Sequence, residues 1–251
     1  MSNFPLSKGH KCALSGKKYE QKVHAILRET TIDGSPFNTQ VEKELGCSTA
    51  GNDIECNYKS LKDLAIELKV WCTPDWMQCS IRYDNVNNKW VPAGKGRIPE
   101  ECREMFKALI NNIELYGGRI PPFLERQISY NDWIEIKSTS SDIWRDHYID
   151  IPDTTISEMY RIKGCSYIQI SGYGLYHTGE DICNFQVPKF EAPQQIRIRT
   201  KLHRREKRNG FCDMSVMCAC QPKDIKKLQR SPFSLDTIAK LPLQLIYRRI
   251  I

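Results

Sequence analysis

The sequence predicts an α/β fold in which a central mixed β-sheet is flanked by helices, with a β-rich elaboration in the C-terminal half. Residues 64–71 alternate between apolar and other side chains, which is the period of a strand with one buried face. Residues 99–116 carry a helical apolar stripe that begins with proline and an acidic turn and ends at a Gly-Gly pair. Residues 196–203 alternate, an Asn-Gly turn follows at residues 209–210, and residues 211–220 can form the return strand, so residues 196–220 predict a hairpin.

The length of 251 residues allows one elaborated domain or two domains. We predict a core over residues 1–130 and, over residues 131–251, either a β-rich elaboration of the same domain or a separate recognition subdomain. The sequence has no apolar run of membrane-spanning length and no secretory signal pattern, so we expect an intracellular protein, cytoplasmic or nuclear. Eleven cysteines, an odd number, then predict reduced thiols rather than a disulfide framework.

The first predicted helix carries a carboxylate at the edge of its apolar stripe. Ser15 is a plausible N-cap, and Tyr19, Val23 and Leu27 follow at helical spacing. Glu20 lies beside this stripe and could reach over a sheet that the helix covers. As an ordinary surface residue it would need no special explanation.

Carboxylates and an amine occupy one face of two predicted strands. In residues 64–71, Glu67 and Lys69 alternate with Ile66 and Leu68, and in residues 51–58 Asp53 shares a face with Glu55. If the two segments are neighbouring strands, Asp53, Glu67 and Lys69 converge on one small volume. Such a group would suit a hard divalent cation with an amine beside it.

A Glu-x-Lys pair by itself is weak support for such a site. The chain contains three: Glu20/Lys22, Glu67/Lys69 and Glu135/Lys137. An isolated pair is usually a solvated strand face. The pair Glu67/Lys69 differs because Asp53, which follows Gly51, precedes it in a separate strand-like run. The pair at residues 135 and 137, on a predicted strand over residues 133–137, is the reserve candidate.

The order of these residues resembles the PD-(D/E)xK nuclease superfamily, the fold of many type II restriction enzymes. The resemblance rests on a helix with a glutamate, a Gly-x-Asp-Ile run and an apolar-Glu-x-Lys strand, and the residues that carry it are Glu20, Gly51, Asp53, Ile54, Ile66, Glu67, Leu68 and Lys69. It covers roughly residues 15–116, and Asn52 stands where the nominal pattern has proline. It implies a restriction-endonuclease-like sheet flanked by helices.

The resemblance also implies a chemistry. Asp53, Glu67 and the backbone carbonyl of Leu68 would bind Mg²⁺, for which Mn²⁺ can substitute. Lys69 would orient the attacking water, and Glu20 would hold a second ion or a metal-bound water; Glu55 is another candidate. The expected reaction is hydrolysis of phosphodiester bonds in double-stranded DNA at specific sequences, leaving 5′-phosphates.

A basic segment in the second half is a candidate nucleic-acid contact. The net charge of the chain is +7, which has the sign expected of a DNA-binding protein. Residues 197–208 contain one acidic residue, Glu206, and seven basic residues: Arg197, Arg199, Lys201, Arg204, Arg205, Lys207 and Arg208. A solvated hairpin tip and a phosphate-binding surface explain this pattern equally well.

Several further elements complete the prediction. Residues 77–91 read as a second hairpin, residues 155–164 as a helix opened by a capping box at Thr155 and Glu158, and residues 167–171 as a strand.

Two alternative functions remain: a non-catalytic nucleic-acid-binding protein that uses residues 196–220, and a structure-specific or RNA endonuclease. A homodimer would suit a palindromic target and a single subunit would suit a nickase; the sequence does not distinguish them.

Overall fold

The structure is a computed structural model and describes residues 8–32, 34–39, 51–73, 75–93, 100–110, 126–139, 146–204 and 209–242. These residues form two compact units. The first unit draws on Met1–Pro74, Asp153–Ala192 and Asp224–Ile251, and the second on Asp75–Pro152 and Pro193–Lys223. The boundary between the units differs from the one predicted at residue 130, because two later segments, Asp153–Ala192 and Asp224–Ile251, belong to the first unit.

The described helices and strands are, in chain order, α1 (Lys8–Glu29), β1 (Thr31–Ile32), β2 (Ser35–Thr39), β3 (Ile54–Tyr58), β4 (Leu61–Lys69), β5 (Trp76–Asp84), β6 (Lys89–Pro92), α2 (Glu100–Ile110), α3 (Tyr130–Thr139), β7 (His147–Ile151), α4 (Thr155–Ile162), β8 (Cys165–Ile170), β9 (Gly174–His177), β10 (Gln194–Arg204) and β11 (Asp213–Pro222). Short 3₁₀ helices follow at Ile225–Lys227 and Ile238–Lys240. None of these helices is long and apolar enough to cross a membrane.

The first unit contains a six-stranded mixed sheet in the order β1-β2-β3-β4-β8-β9. β3 and β4 pair antiparallel, with Ile54 opposite Ile66. β8 runs parallel to β4, with Ile168 opposite Glu67, and α4 lies in the chain segment that connects the two strands. Parallel neighbours need such a long crossover connection. The structure therefore confirms the α/β class.

Helices lie on both faces of this sheet. On one face Val23 and Leu27 of α1 join Ile66 and Leu68 of β4 in a buried apolar core. Full burial of each such side chain stabilises the fold by about 1.5–3 kcal/mol. The opposite face of β4 carries Glu67 and Lys69, and there the ring of Tyr160 from α4 lies beside the ammonium of Lys69. The strand alternation predicted from the sequence thus separates an apolar side from a charged side.

The second unit contains a five-stranded sheet in the order β6-β5-β11-β10-β7, with antiparallel neighbours throughout. β10 and β11 form the predicted hairpin, and Ile196 and Ile198 are fully buried as the alternation requires. α2 packs beside β6 in this unit. The predicted helix over residues 99–116 is confirmed for Glu100–Ile110, and the rest of it lies outside the described residues.

The predicted strand over residues 133–137 is wrong, because these residues belong to α3. The Ser129 hydroxyl accepts the amide hydrogen of Asp132, and the Asp132 carboxylate accepts that of Ser129, so the helix opens with a capping box. On a helix, Glu135 and Lys137 are two residues apart and do not share a face. The reserve catalytic pair therefore loses its basis.

Helix boundaries also differ from the predictions. α1 begins at Lys8 rather than at Ser15, so its first two turns precede the predicted cap. α4 has Thr154 at its N-cap, without a side-chain cap bond, so the capping box predicted at Thr155 does not form. The helix predicted over residues 99–116 belongs to the second unit, whereas α4 lies beside β8 in the first unit.

Candidate active site

The pairing of β3 with β4 brings Asp53 to Glu67 and Lys69. Asp53 directly precedes β3, and its Oδ2 atom accepts a hydrogen bond of 2.8 Å from the backbone amide of Leu68. The Lys69 Nζ atom lies 3.7 Å from the same oxygen and also bonds to Oε1 of Glu67. The structure thus brings together the three side chains that the sequence predicted to converge.

Glu67 is held from its other side by Lys163, which the sequence analysis missed. The Lys163 Nζ atom lies 2.7 Å from Oε2 of Glu67, and only 1% of the lysine side chain and 4% of the glutamate side chain are exposed. Lys163 follows α4, and Gly164, with φ of 92°, turns the chain into β8. Because β8 pairs with β4, Lys163 lies next to the buried carboxylate of Glu67.

Tyr160 and Cys165 complete the surroundings of this carboxylate. The Tyr160 ring centroid lies 5.4 Å from Nζ of Lys69 and 5.6 Å from Nζ of Lys163. The Cys165 thiol lies 3.2 Å from Oδ1 of Asn52 and 3.7 Å from Oε2 of Glu67, and burial holds its pKa well above the usual value. The thiol is therefore a neutral donor at this site.

The two other predicted carboxylates take different positions. Glu20 of α1 is close enough to Lys69 and Glu67 for all three charges to interact. Its Oε2 atom is buried and has no hydrogen-bond partner among the described residues. Burial raises the pKa of Glu20, and Lys69 partly opposes this. Glu55 instead accepts a hydrogen bond of 3.1 Å from the Asn52 amide.

The two central carboxyl groups have opposite pKa shifts. Burial, followed by the charge of Glu67, raises the pKa of Asp53 to about 7, against the opposing effects of Lys69 and the Leu68 amide. Burial also acts to raise the pKa of Glu67, but Lys69 and Lys163 outweigh it and lower that pKa. Glu67 is therefore ionised while Asp53 titrates near neutrality. Separated pKa values of this kind are typical of functional sites.

A divalent cation fits part of this arrangement. The described residues contain no group of three His, Cys, Asp or Glu side chains placed to hold a metal. However, Mg²⁺ commonly binds through one or two carboxylates and keeps several waters. Burial disfavours the ionised form of Asp53 and so raises its pKa to about 7, and a bound cation would stabilise that form. The buried Oε2 atom of Glu20 has no hydrogen-bond partner among the described residues and is a further oxygen that a cation or its waters could use. Because Lys69 joins Asp53 to Glu67, it must move for both carboxylates to bind one ion.

In the basic segment, the two described arginine side chains have carboxylate partners. Arg197 bonds to Asp146 and Asp75, and Arg199 lies 2.7 Å from Asp75. Lys201 is half-buried on the same face of β10. The side chain of Arg204, and all of Arg205, Lys207 and Arg208, lie outside the described residues.

Comparison of the chain with protein-family models, with curated proteins and with solved structures finds no match. The geometry of the site therefore carries the functional argument alone.

Proposed function

We propose that this protein is a metal-dependent endonuclease of restriction-endonuclease-like fold that hydrolyses phosphodiester bonds in double-stranded DNA. The observation that carries the proposal is the convergence of Asp53, Glu67 and Lys69 at the junction of β3 and β4. The mixed sheet with helices on both faces supports it. The sheet places two carboxylates and an amine where a phosphate and a cation could meet.

In this proposal Asp53 and Glu67 would hold Mg²⁺ or Mn²⁺, with the Leu68 carbonyl as a further ligand. When bound, the ion supplies Lewis-acid chemistry and promotes formation of hydroxide from water. Glu20, whose buried Oε2 has no partner among the described residues, is suited to hold a water at the edge of this site.

The lysines have separate roles in the proposed reaction. Lys69, with 17% of its side chain exposed, is the cation that can reach a phosphate oxygen and orient the attacking water. Lys163 is buried and keeps Glu67 fixed and ionised. Attack of water on phosphorus with departure of the 3′ oxygen gives a 5′-phosphate and a 3′-hydroxyl. The hairpin of β10 and β11 is the proposed contact to the duplex, and a homodimer would suit a palindromic target.

A non-catalytic nucleic-acid-binding protein is the second candidate. One observation favours it: Lys69 and Lys163 each bond to one oxygen of Glu67. A carboxylate with both oxygens bound is stable without a metal, so the cluster could serve structure alone. This candidate predicts DNA binding without cleavage.

Incubation of the purified protein with long duplex DNA and Mg²⁺ or Mn²⁺ tests the proposal. We expect DNA fragments that disappear with EDTA, and a loss of rate of about a hundredfold to a thousandfold in Glu67→Gln and Lys69→Met, because each change removes a charge beside the transition state. Glu135→Gln, on the exposed helix α3, is the matched control and should cleave like the wild type. Circular dichroism establishes that each variant is folded.

Other outcomes would redirect the assignment. Binding without cleavage on every DNA and with both ions supports the non-catalytic candidate. Cleavage that survives Glu67→Gln places the active site elsewhere. Preferential cleavage of RNA, or of branched DNA, identifies the RNA endonuclease or the structure-specific enzyme.

A further inference from the structure

An exposed tryptophan lies directly beyond the candidate active site. Trp71 follows Lys69 by two residues, and 46% of its surface is exposed. By contrast, Trp76 and Trp90 are only 2% and 5% exposed. A large aromatic side chain loses favourable burial when it stays in water, so its exposure beside a charged site suggests a ligand rather than a role in the core.

The backbone of Trp71 is fixed by hydrogen bonds to the end of β8. Its amide donates to the Ser171 hydroxyl at 3.1 Å, and the Ser171 amide donates to the carbonyl of Lys69 at 2.8 Å. The Thr73 amide closes a turn onto the carbonyl of Val70 at 3.0 Å. The indole is therefore presented from an anchored turn and not from a free chain end.

The same edge of the sheet carries a second aromatic ring with a cation. Tyr173 belongs to the turn after β8, and its amide donates to the carbonyl of Ile170 at 3.0 Å. The guanidinium of Arg230 lies 5.3 Å from the Tyr173 ring centroid. Arg230 is exposed and has no ion pair with a carboxylate among the described residues. Because β4 and β8 are parallel neighbours, the turns that hold Trp71 and Tyr173 end at the same edge.

The carboxylate of Asp236, which bonds to the turn after β8, already has partners for both oxygens. One oxygen of Asp236 accepts the Tyr19 hydroxyl at 2.6 Å, and the other accepts the Gly172 amide at 2.8 Å. Asp236 thus holds the turn in place, while Arg230 provides a positive charge for an anionic ligand. We name Trp71, Tyr173 and Arg230 the edge platform.

We propose that the edge platform binds unpaired nucleobases of a nucleic acid, with Trp71 stacking on a base and Arg230 contacting the backbone. Aromatic side chains bind bases of any identity in this way, because every base has a π face. Two residues of extended chain span about 7 Å, so a base on Trp71 would lie close to a phosphate at Lys69. The placement beside that phosphate rests on the proposed function and requires that base to leave its duplex partner, whereas the binding of bases in a single strand requires neither a duplex nor hydrolysis.

A nucleic acid fits this surface better than a second protein does. A stable protein–protein interface buries about 800 Å² on each partner. One exposed indole and one half-exposed phenol ring do not supply that area, whereas they suffice for one or two bases. The guanidinium of Arg230, which has no carboxylate partner in the part of the chain that the structure describes, also favours a phosphate-bearing ligand.

Fluorescence anisotropy with a labelled single-stranded DNA, in EDTA so that no cleavage occurs, tests the proposal. We expect Trp71→Ala to weaken binding by about tenfold to a hundredfold and Trp71→Phe, which keeps a stacking ring, to retain most of the affinity. Ile182→Ala is the matched control, since Ile182 is 45% exposed in the same unit and should not change binding. The slope of the logarithm of the binding constant against the logarithm of salt concentration should be unchanged in Trp71→Ala. Arg230→Ala should reduce this slope by about one, because it removes one phosphate contact.

Wild-type affinity in a folded Trp71→Ala variant would overturn the proposal. So would a loss of affinity that follows dissociation of a dimer in analytical ultracentrifugation, because Trp71 would then belong to an interface between copies. The nuclease proposal is decided separately by the cleavage assay with Mg²⁺. If the protein binds single-stranded DNA but cleaves no DNA with Mg²⁺, the base-binding role of the edge platform is supported and the nuclease proposal is refuted.

Discussion

The two units each contain a cluster of buried or half-buried charges, and the clusters differ in how well the charges are matched. The Glu67 cluster, in the first unit, consists of Asp53, Glu67, Lys69 and Lys163. The Asp75 cluster, in the second unit, consists of Asp75, Asp146, Arg197, Arg199 and Gln221. In the Asp75 cluster each carboxylate binds at least one guanidinium, and Asp75 also accepts a hydrogen bond from Gln221.

In the Glu67 cluster the match is incomplete. Glu67 has two ammonium partners, but burial raises the pKa of neighbouring Asp53 to about 7. Nearby polar atoms, Oε2 of Glu20 and the Tyr160 hydroxyl, are buried without hydrogen-bond partners among the described residues. An arrangement selected only for stability would avoid these costs. The incomplete match supports the functional role proposed for the Glu67 cluster, whereas every carboxylate of the Asp75 cluster has a guanidinium partner.

Removal of Lys163 should have the largest effect on stability. Lys163→Met leaves Glu67 buried with one cation, and breaking a buried ion pair from one side costs about 3–5 kcal/mol of unfolding free energy. Urea denaturation measures this loss. Arg161→Met, two residues earlier in the last turn of α4, is the control; Arg161 pairs with Glu158 at the surface, so little change is expected.

The double variant Lys163→Met/Glu67→Gln separates charge from packing. It removes the buried charge together with its partner, so at least about 2 kcal/mol of the loss should be recovered. A double variant as unstable as Lys163→Met would show that the lysine acts through its packing, and the pairing with Glu67 would not explain its burial.

The difference between the clusters also shows what the sequence can predict. The convergence of Asp53 with Glu67 and Lys69 was predictable, because two neighbouring strand-like runs each place their polar residues on one face. The hairpin of β10 and β11 was predictable for the same reason, together with its Asn-Gly turn. In both cases the signal lies within a short stretch of chain.

Lys163 could not be predicted because its partner is far away in sequence. Glu67 and Lys163 are brought together by the parallel pairing of β4 with β8, and no local pattern specifies which strands pair in parallel. The sequence signal was a lysine before Gly164 at the entry to an apolar strand. The helix α3 was missed for a different reason: the Ser129–Asp132 capping box was present, but alternation over five residues suggested a strand.

The pH dependence of stability should distinguish Asp53 from Glu67. Below about pH 4 Asp53 is protonated in both the folded and the unfolded protein. Between pH 4 and its folded pKa of about 7, the unfolded chain releases a proton that the folded protein retains, so stability falls as pH rises through this range. Asp53→Asn should abolish this fall and stabilise the protein by roughly 2–4 kcal/mol at pH 8, with little change near pH 4.

Glu67→Gln should show the opposite dependence. The pKa of Glu67 is lowered by its two lysines, so its ionised form stabilises the fold above the unfolded pKa, and this contribution is lost as pH falls through the folded pKa. The variant should therefore be most destabilised near neutral pH. Urea denaturation of the wild type and both variants from about pH 2 to pH 8 measures the two slopes, because the change for Glu67 falls below its unfolded pKa of about 4.3 and that for Asp53 falls above its unfolded pKa of about 3.9. Equal slopes would show that the two carboxyl groups share one environment, which would contradict the proposed division of roles.

Substitution of Arg199 should have the smallest effect on stability. Arg199→Gln leaves Asp75 with Arg197 and Gln221, and a half-exposed ion pair contributes no more than about 1 kcal/mol. The same variant tests whether the Asp75 cluster is purely structural. If Arg199 also contacts a phosphate, Arg199→Gln should reduce the logarithmic salt slope of duplex binding by about one while the protein stays folded. If the slope is unchanged, Arg199 acts within the second unit alone, and the proposed duplex contact must come from the other cations of the hairpin.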